Sequence, residues 1–327
     1  MPEVISAHLQ DIKKSGCPVI GQELAMELLN RAIAIRQIAP AYLFTGSEGV
    51  GRKTAAKYFT KVLLGSKLSN SEELAKLQQR MKSGNHPDLL TVQPTYCNSG
   101  ELVTNQQEGE LKLTRKTPPQ TRIEQVRSII EFLSRPPLEA VRQVVIVEQA
   151  ETLNESATNA LLKTLEESGQ RATFILIASS KASLLPTLVS RCQYVPFSRL
   201  NSADIAQVLD SAGHKDILEK SEIMAMAQGS PGQAIALDKQ LALIPETLLN
   251  KLKELPLTLR DALEQASEID QTIKFETQLV LCEYLQHYYW RKTHSTHQLQ
   301  QLDSARQHLL SHCQPRLVWE SALITFR

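Results

Sequence analysis

No stretch of this 327-residue chain approaches the run of roughly 18 apolar residues that a membrane span requires. The N-terminus has no apolar h-region of the secretory kind, so a cytoplasmic protein is expected. Cysteine is sparse as well. Cys17, Cys97, Cys192, Cys282 and Cys313 are scattered, and no pair has C-x-x-C spacing. That argues against a disulfide framework or a metal site and fits a reducing compartment. An excess of one charge is also missing. The formal net charge of +1 leaves no global polyanion-binding character, although local basic patches stay open. What is present is ordinary: 42% hydrophobic and 22% charged residues, with material for two or three packed domains.

The organising stretch runs from Arg142 to Cys192. It holds two apolar runs, Val144 to Val147 and Phe174 to Ile177, separated by a helical pattern from Glu155 to Glu167. Strand, helix, strand at this spacing predicts a parallel α/β unit with strands buried on both faces. Further strands are predicted over Ala41–Phe44, before Val92 and over Tyr194–Phe197, with helices over Gln22–Arg36, up to Leu64, within 65–84 and over Ile123–Leu133. Residues 94–121 are polar, with a Pro118-Pro119 pair, and read as a long surface insertion. Short helices follow over 201–240, and from about Ile244 the pattern is helical throughout, with Pro245, Pro256 and Pro315 at helix boundaries. The domain reading is 1–197 as a nucleotide-binding-type α/β domain, 198–240 as a small helical domain and 241–327 as a helical packing or assembly domain.

Chemistry in such sheets gathers at the carboxyl ends of the strands. After the first strand comes Gly46-Ser47-Glu48-Gly49-Val50-Gly51-Arg52-Lys53-Thr54, followed by a helix. A working phosphate loop has the form G-x-x-x-x-G-K-[ST], with a lysine for the phosphates and a hydroxyl for Mg²⁺. Gly46 and Gly51 keep the spacing, with Gly49 between them. Arg52 takes the lysine position, where a bulky guanidinium is a poor substitute for a point charge. Lys53 takes the hydroxyl position and cannot ligate a cation, and Thr54 lies one residue out of register. The central strand ends in Glu148-Gln149. A hydrolysing site needs a carboxylate for Mg²⁺ and a base or water-positioning group. Glu148 can still reach a metal; Gln149 cannot act as a base. A solvated acidic turn explains Glu148 alone, but not two defects that coincide. The expectation is a former nucleotide pocket that binds ATP or ADP weakly or not at all and requires no cofactor or metal.

The third feature is Ser190-Arg191-Cys192 on a short loop beyond the second strand. A lone surface arginine is ordinarily just solvated. Here its own pocket is defective, and it could instead reach a phosphate on a neighbouring subunit as an arginine finger.

Asn85-His86-Pro87-Asp88-Leu89, Asn159 to Glu167 (NALLKTLEE) and Ser190-Arg191-Cys192, taken with the glycine loop, resemble the clamp-loader branch of the AAA+ family. The resemblance covers about residues 17–240 and, more weakly, the helical C-terminus. It implies a RecA-like α/β AAA+ domain with a parallel sheet, a small helical lid and an all-α collar that joins five subunits into a ring. The partners implied are motor and delta-type clamp-loader subunits, with the sliding clamp and primer-template DNA met through the assembled ring. It also implies a subunit without ATPase of its own that offers Arg191, with Ser190 and Cys192, to the adjacent motor. Two departures stand out. Residues 62–88 lack the four cysteines of a zinc module that many members carry, and Gly232 stands where hydrolysing relatives have an arginine. The rival expectations are an active AAA+ motor subunit, with Arg52 or Lys53 in the role of the phosphate-loop lysine, and a helicase accessory factor.

Overall fold

A computed structural model describes residues 19–68, 70–98, 101–104, 119–254, 256, 258–294 and 296–326. Cys17 and half of the insertion, 105–118, lie outside the described residues. The chain separates into two compact units, residues 1–199 and 200–327.

The first unit is built on a five-stranded parallel sheet. Its strands are β1 (Ala41–Thr45), β2 (Leu89–Val92), β5 (Gln143–Val147), β6 (Ala172–Ala178) and β7 (Gln193–Pro196), in the order β2-β5-β6-β1-β7. Every residue of β1, β5 and β6 is buried, as the unbroken apolar runs require. Register brings the strand ends together: Thr45 lies beside Ala178, and Val147 beside Leu176. A small antiparallel pair, β3 (Thr95–Asn98) with β4 (Glu101–Thr104), starts the insertion that the polar composition presents as featureless.

Helices α1 (Glu23–Ala34), α2 (Arg52–Leu64), α3 (Ser71–Lys82), α4 (Ile123–Ser134), α5 (Glu155–Glu167) and the short α6 (Pro186–Val189) complete the unit. Val126 and Ile129 of α4 and Leu161 and Leu165 of α5 join Leu43, Val145, Phe174 and Leu176 in one core. Each such side chain, fully buried, stabilises by about 1.5–3 kcal/mol. From α2, Phe59 meets Tyr42 of β1 edge-on, with centroids 4.9 Å apart. Helix α5 starts where it does because the Asn154 side chain accepts a hydrogen bond from Ala157 N at 2.8 Å, satisfying a donor that the helix cannot.

The opposite rim of the sheet is held by Asp88. Its fully buried carboxylate accepts from the backbone N–H groups of Leu138, Glu139 and Ala140 at 2.7, 2.8 and 2.7 Å. This ties the loop before β5 to the start of β2. Burial alone would raise the Asp88 carboxyl above its ordinary range, but the three N–H donors outweigh it and hold the group below. His86 is buried beside it, with Nδ1 accepting from Asp88 N at 3.1 Å, and burial lowers the imidazole's affinity for a proton.

The second unit is helical among its described residues: α7 (Ser202–Ser211), α8 (Ser221–Ala227), α9 (Pro231–Leu241), α10 (Glu246–Leu252), α11 (Leu259–Thr272), α12 (Phe275–Thr293), α13 (Thr296–Leu310) and α14 (Pro315–Thr325). Pro245 and Pro315 sit at helix starts, where a missing N–H costs nothing. Helices α8 and α9 pack on α12. The Tyr289 hydroxyl donates to Leu252 O at 2.7 Å, and the Trp319 indole N–H to Gln278 Oε1 at 2.9 Å. Among the described residues no helix is long and apolar enough to cross a membrane.

Replacing Asp88 by alanine strands three backbone donors, so Asp88→Ala is expected to destabilise the first unit by roughly 3 kcal/mol, measurable by urea denaturation. Because the folded pKa is depressed, this stabilisation is present above about pH 4, the unfolded carboxyl range, and lost as pH falls through the folded value. The unmodified protein should therefore lose stability on acidification more steeply than Asp88→Ala. A fragment ending at Arg199 should fold cooperatively by itself. One ending at residue 240 keeps α8 and α9 without the α12 face they pack against, and its second part should show weak protection in hydrogen exchange.

Candidate functional site

The glycine loop sits at the carboxyl end of β1 and opens α2. Gly46 has φ +150°, and a Cβ there would lie 2.4 Å from the Phe197 carbonyl oxygen. Gly51, at φ +106°, would place a Cβ 2.8 Å from Val19 Cγ1. Neither position admits a side chain. Gln22 pins the loop. Its amide donates to Val50 O at 3.1 Å and Ser198 O at 2.6 Å, and its Oε1 accepts from Ser198 N at 3.0 Å. No local pattern points to Gln22, because its partner Ser198 comes from beyond β7. Gly49, also at positive φ, completes the turn.

The loop's two cations are both engaged within the pocket. Arg52 reaches across to donate from Nη1 to the carbonyl of Ala178, the last residue of β6. Burial lowers the proton affinity of its guanidinium, while Glu151 and Glu48 act in the opposite sense. Lys53 places its ammonium 2.6 Å from Glu148 Oε2, with Glu148 almost fully buried. In a hydrolysing site, the hydroxyl at the Lys53 position and the carboxylate at the Glu148 position hold Mg²⁺ between them. Here the chain supplies a positive charge of its own at that junction. The sequence reading takes Glu148 as able to reach a metal; in this structure its carboxylate is paired with Lys53. Two cations in the first turn oppose the positive end of the α2 dipole, so Glu148 also offsets a local cost.

Gln149 adopts a left-handed conformation, φ 48° and ψ 55°, where the chain leaves β5 for a short 3₁₀ turn, Ala150–Thr152. Glu151 in that turn accepts from Ser179 N at 3.1 Å through Oε1, while its buried Oε2 has no partner. The sequence places Glu151 at the carboxyl end of the central strand but points to no role for it. Thr54 is exposed on α2.

Ser190, Arg191 and Cys192 follow α6. The Arg191 guanidinium donates from Nε to Glu166 Oε1 at 2.8 Å, from Nη2 to the same oxygen, and from Nη1 to Thr187 O at 3.0 Å. Its hydrogen bonds run to α5 and α6, and its side chain stays 40% exposed. Ser190 Oγ turns back to Thr187 O at 2.9 Å. Cys192 packs inward against the core, its thiol donates to Leu188 O at 3.2 Å, and burial pushes its pKa up to about 12. It anchors the loop and offers no nucleophile. Arg199 lies at the loop as well, donating from Nε to Ser47 Oγ at 3.3 Å.

Comparison with known proteins agrees with this architecture. A family model described as "DNA polymerase III, delta subunit" matches residues 21–201. One described as "Cyanobacterial DNA polymerase III delta prime, C-terminal domain" matches residues 203–326. The DNA polymerase III subunit delta' of Bacillus subtilis is 31% identical over 182 residues, which is 55% of this chain and 48% of the relative. That of Pseudomonas aeruginosa is 30% identical over 198 residues, 60% of this chain and 54% of the relative. The chain thus spans about half the length of the curated relatives it matches. Among solved structures, a DNA polymerase III gamma subunit-related protein from Thermotoga maritima superposes with a TM-score of 0.50 at 17% identity, covering 92% of this chain and 97% of that one. This last likeness concerns the fold alone.

Alkylation checks the inward placement of Cys192. Only the thiolate reacts, so at pH 8 the exposed Cys313 should be modified while Cys192 and the buried Cys282, both with pKa values near 12, stay unmodified in the native chain. Mass mapping after iodoacetamide treatment reads this directly. Rapid native modification of Cys192 would contradict the placement.

Proposed function

The chain belongs to the DNA polymerase III delta-prime subunit family, and on that premise we propose that it is the stator of a clamp loader, largely non-hydrolysing, which supplies Arg191 in trans to a neighbouring motor subunit during sliding-clamp loading in DNA replication. The observation that carries this reading is the 2.6 Å Lys53–Glu148 pair. It fills the cation junction of the chain's own pocket, next to a Gln149 that cannot serve as a base. Arg52 and Lys53 are both engaged within the pocket, while Arg191, bonded to Glu166 and Thr187, keeps donor capacity at the surface on a short loop. A cis role would leave Arg191 with little to act on; a neighbour's γ-phosphate develops charge that one more cationic fork stabilises.

In this reading residues 198–240 act as a lid and 241–327 as a collar that joins the chain to motor and delta-type subunits in a hetero-pentameric ring. The sliding clamp and primer-template DNA are met by the ring as a whole. A net charge of +1 fits low DNA affinity for the isolated chain, since such binding rests on phosphate neutralisation. ATP or ADP binding is weak or absent, and no cofactor is required.

The purified chain is expected to have no ATPase above background. Robust turnover abolished by changing Arg52 or Lys53 would promote the motor-subunit reading instead. In the reconstituted complex, Arg191→Ala should assemble normally yet depress clamp- and DNA-stimulated ATP hydrolysis. An arginine finger is worth roughly 10³–10⁵ in rate in GTPases; one finger among several sites in a ring should give a smaller, clear loss. Arg191→Lys should be nearly as damaging, because an ammonium lacks the planar fork. Arg135→Ala, at an exposed arginine, is the control, because Arg199 is tied to Ser47 and is no inert comparison. Unchanged hydrolysis and clamp loading by Arg191→Ala would refute the stator mechanism.

A further inference from the structure

We propose that Glu166 is a positioning residue for Arg191, holding the guanidinium in the orientation from which it serves the neighbouring site. The inference rests on the reading of Arg191 as a finger in trans. It starts from a count of donors. A guanidinium has five N–H groups. The Nε–H and one Nη2–H go to Glu166 Oε1, and one Nη1–H goes to the Thr187 carbonyl. One N–H on each terminal nitrogen is left over. The side chain is therefore gripped by two helices, α5 through a carboxylate and α6 through a backbone carbonyl, while donor capacity remains at its tip.

The grip has a physical purpose that stability does not explain. With side-chain exposures of 40% for Arg191 and 55% for Glu166, the pair is screened by water, and such pairs add little to folding. What it does is remove rotamer freedom from a long side chain. Unrestrained, an arginine on a surface loop samples many positions, few of which meet a phosphate on another subunit. Groups that act in a transition state must be held by neighbours whose own rotamers are fixed. The backbone that carries Glu166 is held in place, because Leu161 and Leu165 of α5 are buried in the core, and the Arg191 contact in turn orients the carboxylate.

Geometry and charge predict different outcomes. If Glu166 positions, an uncharged acceptor of the same shape preserves function. If it instead neutralises the finger, removing the charge raises activity. In the full complex with its motor subunits, Glu166→Ala is expected to lower kcat for stimulated ATP hydrolysis about three- to tenfold, below the ~10²-fold that a ~1 Å misplacement can cost. KM for ATP should not change, because the finger acts on charge that develops only in the transition state. Glu166→Gln retains an acceptor oxygen and should recover most of the rate. In an Arg191→Ala background, Glu166→Ala should cost nothing further. In the chain alone, ¹⁵N spectra should show an Arg191 Nε–H protected from exchange, with protection lost in Glu166→Ala and kept in Glu166→Gln.

Three results overturn the inference while Arg191→Ala remains impaired. They are Glu166→Ala turning over at the unmodified rate, either Glu166 variant turning over faster, and an equal loss from Glu166→Ala when Arg191 is already absent. Normal turnover by Arg191→Ala is a different failure. It removes the trans-finger reading and the positioning role with it, while the ¹⁵N spectra still report whether Glu166 holds the guanidinium.

Discussion

Burial of β1, β5 and β6 on both faces leaves their neighbourhood a single outlet for polar chemistry, the strand ends. The charged groups that the first unit buries or half-buries gather there. At the carboxyl rim the chain gathers Arg52, Lys53, Glu148 and Glu151, and each engages another part of the rim. At the amino rim a buried carboxylate, Asp88, is affordable only because three backbone donors meet it. The same rule that keeps charge out of the sheet gathers it into close clusters at the two ends.

Much of this layout was legible in the sequence, and the reason is physical. Apolar runs announced β1, β5 and β6, because strands buried on both faces carry no other pattern, and shorter apolar stretches marked the edge strands β2 and β7. The extension of β6 back to Ala172 and Thr173 was not announced, since those short side chains are buried without forming an apolar run. The β3–β4 pair went unread within a polar stretch. At the site, the residue substitutions were visible one by one. Their pairing was not: Lys53 with Glu148, Arg191 with Glu166 and Asp88 with the loop at 138–140 join residues far apart in the chain. Spacing rules reach across a helix turn or a hairpin, and these contacts are made only when the sheet assembles.

The two loops differ in how their charges are resolved. Lys53, its own side chain 57% exposed, meets an almost fully buried carboxylate, so water screens that pair from one side only. Arg191 meets an exposed one, so its contact is directional but exchangeable.

Gly46 carries a lesson for anyone comparing relatives of this protein. Its missing side chain is demanded by the Phe197 carbonyl, and that of Gly51 by Val19, both within the fold and neither part of a nucleotide. Selection for folding alone would retain these glycines long after a lineage had ceased to bind a phosphate. The persistence of a glycine loop among relatives therefore says little about nucleotide use, and the side chains at positions 52, 53, 148 and 149 are the more informative ones.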